Sequence, residues 1–128
     1  SLSEIHNIMK DGFSRNVIDW NKREQLYHDK SVPLEKGTLA EARNDGTIAI
    51  SPEVDQTNKK LMNRLLKHEG KHMEDLQNGK QAYGDNWLMW EDKIYIRKNG
   101  VIHGPNGSWP EGHPNHPWEQ EAYAAEKE

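Results

Sequence analysis

The chain has no cysteine among its 128 residues. That excludes disulfides and any zinc site built on thiolates. Large apolar side chains are also scarce: there is one phenylalanine, and the apolar fraction is only 33% against 30% charged. One modest core is the most such a composition supports. No apolar run approaches the ~20 residues of a membrane span. The first residues, SLSEIHNIMKDGF, have neither a cationic start nor an apolar run, so no export signal is expected in them. The compartment stays open between secreted, virion-associated and cytoplasmic. The net charge is −4, and Lys and Arg form no dense stripe, so a nucleic-acid partner has no electrostatic footprint.

What the chain does have is histidine, placed unevenly: five of the seven lie between positions 68 and 116. Two of them fall in HEGKH, residues 68–72. The surrounding pattern is helical. Leu61, Leu65, His68, His72 and Leu76 follow one stripe, Ser51-Pro52-Glu53 reads as a capped start, and Gly79 as the stop. Residues four apart share a helix face, so His68 and His72 can offer ring nitrogens to one ion. Glu69, about 100° round the helix, can reach a water on that ion without ligating it.

The rest of the chain is expected to be α+β. Ser1–Met9 reads as a capped amphipathic helix, and residues 15–30, with Val17, Ile18, Trp20, Leu26 and Tyr27, as a second one. Residues 37–52 read as a hairpin turning at Asn44-Asp45-Gly46, with a strand at Thr47–Ile50. Short strands follow from Asn86 to His103, turning at Glu91-Asp92-Lys93 and Lys98-Asn99-Gly100. GPNGSWPEGHPNHP is expected to be irregular, and Pro117 to open a closing helix. Trp87, Trp90, Trp109 and Trp118 are read mainly as core, and Glu74 and Asp75 as solvated or helix-stabilising charges. The expectation is one domain over 1–128, with 1–37 as a helical N-terminal portion and 38–126 as a metal-binding core.

A catalytic zinc takes three protein ligands and keeps one wet vertex. Downstream donors are His103, Glu111, His113, His116, Glu119 and Glu121. Glu119 is favoured because PWEQEAY places it in the first turn of the closing helix, with the small Ala122 one turn on. Glu121 remains the alternative.

HEGKH together with EQEAY resembles the gluzincin group of zinc metallopeptidases. More loosely, the chain resembles small gluzincin-like proteins of gut bacteria and their phages. There, an aromatic and glycine-rich segment like WEDKIYIRKNGVIHGPNGSWPEGHP separates the two helices. The resemblance covers about residues 38–126 and implies a minimal zincin-like domain: a short antiparallel sheet, a long HExxH helix and a glutamate-bearing C-terminal helix. It further implies one Zn2+ held by His68, His72 and Glu119, with Glu69 as general base for hydrolysis of an extended peptide or protein substrate. Glu121 would then lie outside the ligand set. Larger gluzincins carry an acid four residues after the metal-binding glutamate; here that position is Tyr123. Tyr123, His116, His113 and Tyr83 are the candidates for stabilising the developing oxyanion. The strand Thr47–Ile50 corresponds to the edge strand beside which substrate adds. Two other readings compete. One is a structural zinc closed by His113 or His116; the other is an inactive gluzincin-like binding or virion protein.

Overall fold

The computed structural model describes residues 13–29 and 34–128; the helix expected over Ser1–Met9 lies outside them. The described residues form a mixed α+β structure with two antiparallel sheets and two helices. The chain divides between Met62 and Asn63 into two compact units.

The first unit holds a four-stranded sheet in the order β2-β1-β4-β3. Its strands are β1 (Phe13–Asp19), β2 (Glu24–Asp29), β3 (Ala40–Ala42) and β4 (Thr47–Ile50). The helix expected over residues 15–30 is thus a hairpin. Asp19 pairs with Glu24 across the turn Trp20–Arg23, where the Asp19 carboxylate accepts the Lys22 N–H at 3.0 Å. The reason lies outside the segment. Val17 and Ile18 are β-branched, and β1 pairs on its other side with β4, Val17 opposite Ala49 and Ile18 opposite Ile48. Consecutive buried residues, Asn16-Val17-Ile18 and Ile48-Ala49-Ile50, mark both strands as covered on both faces. The expected β3–β4 hairpin is present, with Ala42 opposite Ile48. However, β4 is flanked by β1 and β3, so it is not an edge and has no free ladder for a substrate strand.

Helix α1 (Lys59–Gln77) begins eight residues after the expected cap at Ser51. Local hydrogen bonds hold the intervening residues in turns instead. Ser51 Oγ accepts the Glu53 N–H at 3.2 Å, and Asp55 Oδ1 accepts both the N–H and the hydroxyl of Thr57. Asn58 is the actual cap, its Oδ1 accepting the Leu61 N–H at 3.0 Å. The stop is at the expected Gly79, whose φ of +75° lets Lys80 N–H reach Asp75 O and Gly79 N–H reach Leu76 O.

The second unit contains most of α1, a five-stranded meander and helix α2 (Pro117–Ala125). The meander runs in order through β5 (Gln81–Tyr83), β6 (Trp87–Trp90), β7 (Lys93–Lys98), β8 (Val101–Gly104) and β9 (Gly107–Pro110). Two-residue loops join the middle strands. Glu91-Asp92 and Asn99-Gly100 have positive φ at both positions, as turns matching the strand twist require. The segment expected to be irregular supplies β9, which pairs Trp109 with Ile102. Strand β9 is sealed on its outer side: Trp109 O accepts from His116 Nε2 at 3.0 Å, and Pro110 O from His113 N–H at 3.0 Å.

An aromatic core joins the meander to α2. Leu88, Trp90, Tyr95 and Ile102 bury against Trp118 of α2. Tyr95 meets the Trp118 ring edge-on at 4.9 Å, and His116 stacks on it at 4.6 Å. Trp90 and Trp118 are core as expected, whereas Trp87 is 39% exposed and Trp109 partly so. With Trp118 locked in this core, the next residue, Glu119, is aimed by the α2 backbone.

Candidate metal centre

His68 and His72 stand one turn apart on α1, their ring centroids 5.0 Å apart. Glu119, in the first turn of α2, meets both. One carboxylate oxygen, Oε1, accepts from His68 Nε2 and from His72 Nε2, each at 2.9 Å. Glu69, His72 and Glu119 are each 7% exposed, so three charged or chargeable groups are held nearly out of water. Ala122, one turn after Glu119, has no exposed surface.

The electrostatics follow from this geometry. Burial alone would push the Glu119 carboxyl up, but its hydrogen bonds to His68 and His72 outweigh burial and hold it down to about 2. Burial likewise opposes charge on His68. The bond to Glu119, the nearby Glu69 and a bond to Glu126 prevail, raising it to about 9. His72 also shifts upward against its burial, through Glu119 first and Glu69 second. Without an ion, then, protons occupy the positions between the rings and the carboxylate.

Those positions suit a metal. Zinc bonds to imidazole nitrogen and carboxylate oxygen run ~2.0–2.1 Å, which makes the edge of a tetrahedron about 3.3 Å. The 2.9 Å separations between Glu119 Oε1 and the two ring nitrogens fall a few tenths of an ångström short of that edge. Glu69 also lies within reach: its oxygen and the two ring nitrogens are mutually within 4.8 Å. Of the two carboxylates, Glu119 is the one whose single oxygen bridges both rings. Glu69 leaves the helix one residue from His68, and so to the side.

Tyr123, one turn beyond Glu119, sets its ring edge-on to His68 at 4.5 Å, and its hydroxyl donates to Gly112 O at 3.1 Å. Burial, with Glu119, Glu126 and Glu69 nearby, raises its pKa, keeping the proton on the oxygen. The other residues singled out in the sequence are engaged elsewhere. Glu121 pairs with Lys80 Nζ at 2.7 Å. His116 is buried and donates to Trp109 O, and burial lowers its pKa, so its ring is neutral. His113 Nδ1 accepts the Asn115 N–H at 3.0 Å. Tyr83 packs on the aromatic core, under the Arg97 guanidinium. Asp75, expected as a solvated or helix-stabilising charge, is 3% exposed and pairs with Lys71 one turn back at 3.5 Å. Neither His113 nor His116 joins the group of donors that converges on His68 and His72.

One acid at this site escaped the sequence reading. Glu126 Oε2 lies 2.6 Å from His68 Nδ1. Its signal was present: position 126 is seven residues after Glu119, two turns along the same helix face. Among the described residues no helix is long and apolar enough to cross a membrane. No protein family, curated protein or solved structure matches the chain.

Proposed function

We propose that this chain is a zinc-dependent peptidase of minimal zincin-like build, in which His68, His72 and Glu119 hold the ion. One observation carries the reading: a single oxygen of a buried carboxylate lies 2.9 Å from the Nε2 atoms of two histidines one helical turn apart. Two nitrogens and one oxygen in that compact arrangement are a donor set that suits zinc. His113 and His116 are committed to other partners, which favours an open fourth vertex over a closed structural site.

When bound, zinc supplies Lewis acidity that polarises a carbonyl and acidifies water. The chain's own residues do the rest. Glu69, buried beside His68, accepts the proton of the attacking water and returns it to the leaving amine. Glu119 balances the positive charge of the ion. Tyr123 sets its ring against His68, and turning its hydroxyl away from Gly112 O would offer the proton to a developing oxyanion. An extended peptide is the substrate class. Its main chain does not pair with β4, whose two sides are taken by β1 and β3.

Glu69→Gln tests the reading. Purified variant and parent chains are assayed for zinc content and for cleavage of a mixed peptide library. The expected outcome is about one zinc per chain in both, with cleavage lowered ~10²–10⁴-fold in the variant, the usual worth of a general base. Zinc retained with no cleavage dependent on Glu69 would point to a structural ion. No zinc in the parent would leave the cluster a set of charge-assisted hydrogen bonds, fitting a binding protein.

A further inference from the structure

We propose that Glu126 is the positioning residue for His68, accepting a hydrogen bond from its Nδ1–H so that Nε2 faces the ion with its lone pair free. The inference rests on the metal reading above and assigns a role to a residue outside the ligand set. Glu126 stands at the C-terminal end of α2, where the helix dipole disfavours an acid. Its side chain is nonetheless mostly buried and both of its oxygens are engaged, Oε2 by His68 Nδ1 at 2.6 Å and Oε1 by Arg64 Nε at 3.5 Å. Its backbone is regular α, and its N–H is bonded to Tyr123 O and Ala124 O. The carboxylate is therefore held from two directions on a rigid stem.

The consequence is an asymmetry between the two histidines. Nδ1 of His72 is buried and has no hydrogen-bond partner among the described residues, whereas Nδ1 of His68 has a charged acceptor. A histidine that donates its second nitrogen to a carboxylate is fixed in tautomer and in ring orientation, and it becomes a more basic ligand. His72 lies deeper and is confined by burial; His68, nearer the surface, is confined by Glu126. The neighbouring contact of the same chain end, Lys67 Nζ donating to Glu128 O, tethers that end without touching either ring and so provides a control.

The experiment measures zinc affinity of the full chain by competition with a chromophoric chelator, for the parent, Glu126→Ala, Glu126→Gln and Lys67→Ala. Loss of such a partner typically weakens metal binding 10–100-fold. Glu126→Ala is expected in that range. Glu126→Gln, which still accepts from Nδ1 but carries no charge, should fall between it and the parent, and Lys67→Ala should stay within about twofold of the parent. Parent-like affinity in Glu126→Ala, or an equal loss in Lys67→Ala, overturns the proposal. The His68 Nδ1–H resonance, followed by proton–nitrogen NMR, supplies a readout that does not depend on metal. A protected Nδ1–H signal in the parent that vanishes in Glu126→Ala supports the proposal, and its persistence there overturns it. If the parent binds no zinc, the metal reading falls, and this signal alone decides whether Glu126 holds the ring.

Discussion

Glu119 and Glu121 leave α2 two residues apart and meet different partners from the helix–turn segment that precedes the meander. Glu119 faces His68 and His72; Glu121 faces Lys80 at 2.7 Å, with Asp75 and Lys71 close behind. Both carboxyls titrate below the usual range despite their burial, the first because of the histidines and the second chiefly because of Lys80. The difference lies in what the partner can give up. An imidazole can lose its proton near neutrality and accept a metal in its place. The Lys80 ammonium, its pKa raised by Glu121, cannot. Two polar clusters of similar charge thus have different uses: one can exchange protons for an ion, and the other only ties elements together.

The largest effect that separates the clusters should be on metal binding. Glu119→Ala removes one of the three proposed donors and should weaken zinc binding by more than ~100-fold, beyond the ceiling for loss of an outer partner. Glu121→Ala, which touches neither ring, should change it little. Isothermal titration with zinc checks both. Equal losses in the two variants would erase the distinction.

Much of this contrast was legible in the sequence, because it rests on local rules. The i, i+4 pair in HEGKH, the Gly79 stop, the Glu91-Asp92 and Asn99-Gly100 turns and the helix opening at Pro117 each depend on a few adjacent residues. What was not legible depends on distant partners. Val17 and Ile18 form a strand because β4 lies beside them, and no local pattern announces that. The start of α1 moved to Asn58 because Ser51 and Asp55 spend their side chains on turns. Asp75 sits on a helix face that looks solvated until Glu121 and Lys80 cover it. Glu126 does not stand out in the sequence, because the pattern of the larger gluzincins points four residues after Glu119, to Tyr123, rather than seven.

A second way to sharpen the comparison is pH. In the metal-free chain His68 titrates near 9 rather than 6.5, so its contribution to stability is complete below about 6.5 and is lost as pH rises through about 9. Glu119, lowered from 4.5 to about 2, contributes fully above about 4.5 and is lost as pH falls through about 2. The histidine cluster therefore stabilises the metal-free fold most between about 4.5 and 6.5. Zinc displaces the imidazole protons, so binding tightens as pH rises through the same range in which the metal-free chain weakens. Thermal melts with chelator and with zinc should diverge steadily from pH 6.5 to 9. Parallel curves would mean that no ion enters this cluster.

The smallest effect should come from an isosteric amide in the lysine cluster. Asp75 Oδ2 and Glu121 Oε2 are both buried, and neither has a hydrogen-bond partner among the described residues. Burial and the neighbouring Glu121 carboxyl raise the Asp75 pKa, whereas Lys80 lowers that of Glu121 against its partial burial. An asparagine at 75 keeps the shape, removes the like charge beside Glu121 and brings an amide that can donate to the Glu121 carboxylate. Asp75→Asn should therefore change stability by less than about 1 kcal/mol, against about 1–3 kcal/mol when a buried partner is left unsatisfied, as in Asp75→Ala. Chemical denaturation of both variants checks this. The same exchange at Glu119 replaces an ionised acceptor facing two charged rings with a neutral amide, so Glu119→Gln should be the costlier of the two amides. If Asp75→Asn proves as damaging as Glu119→Gln, the fold depends on the Asp75 charge as much as on that of Glu119, and this exchange does not distinguish the two clusters.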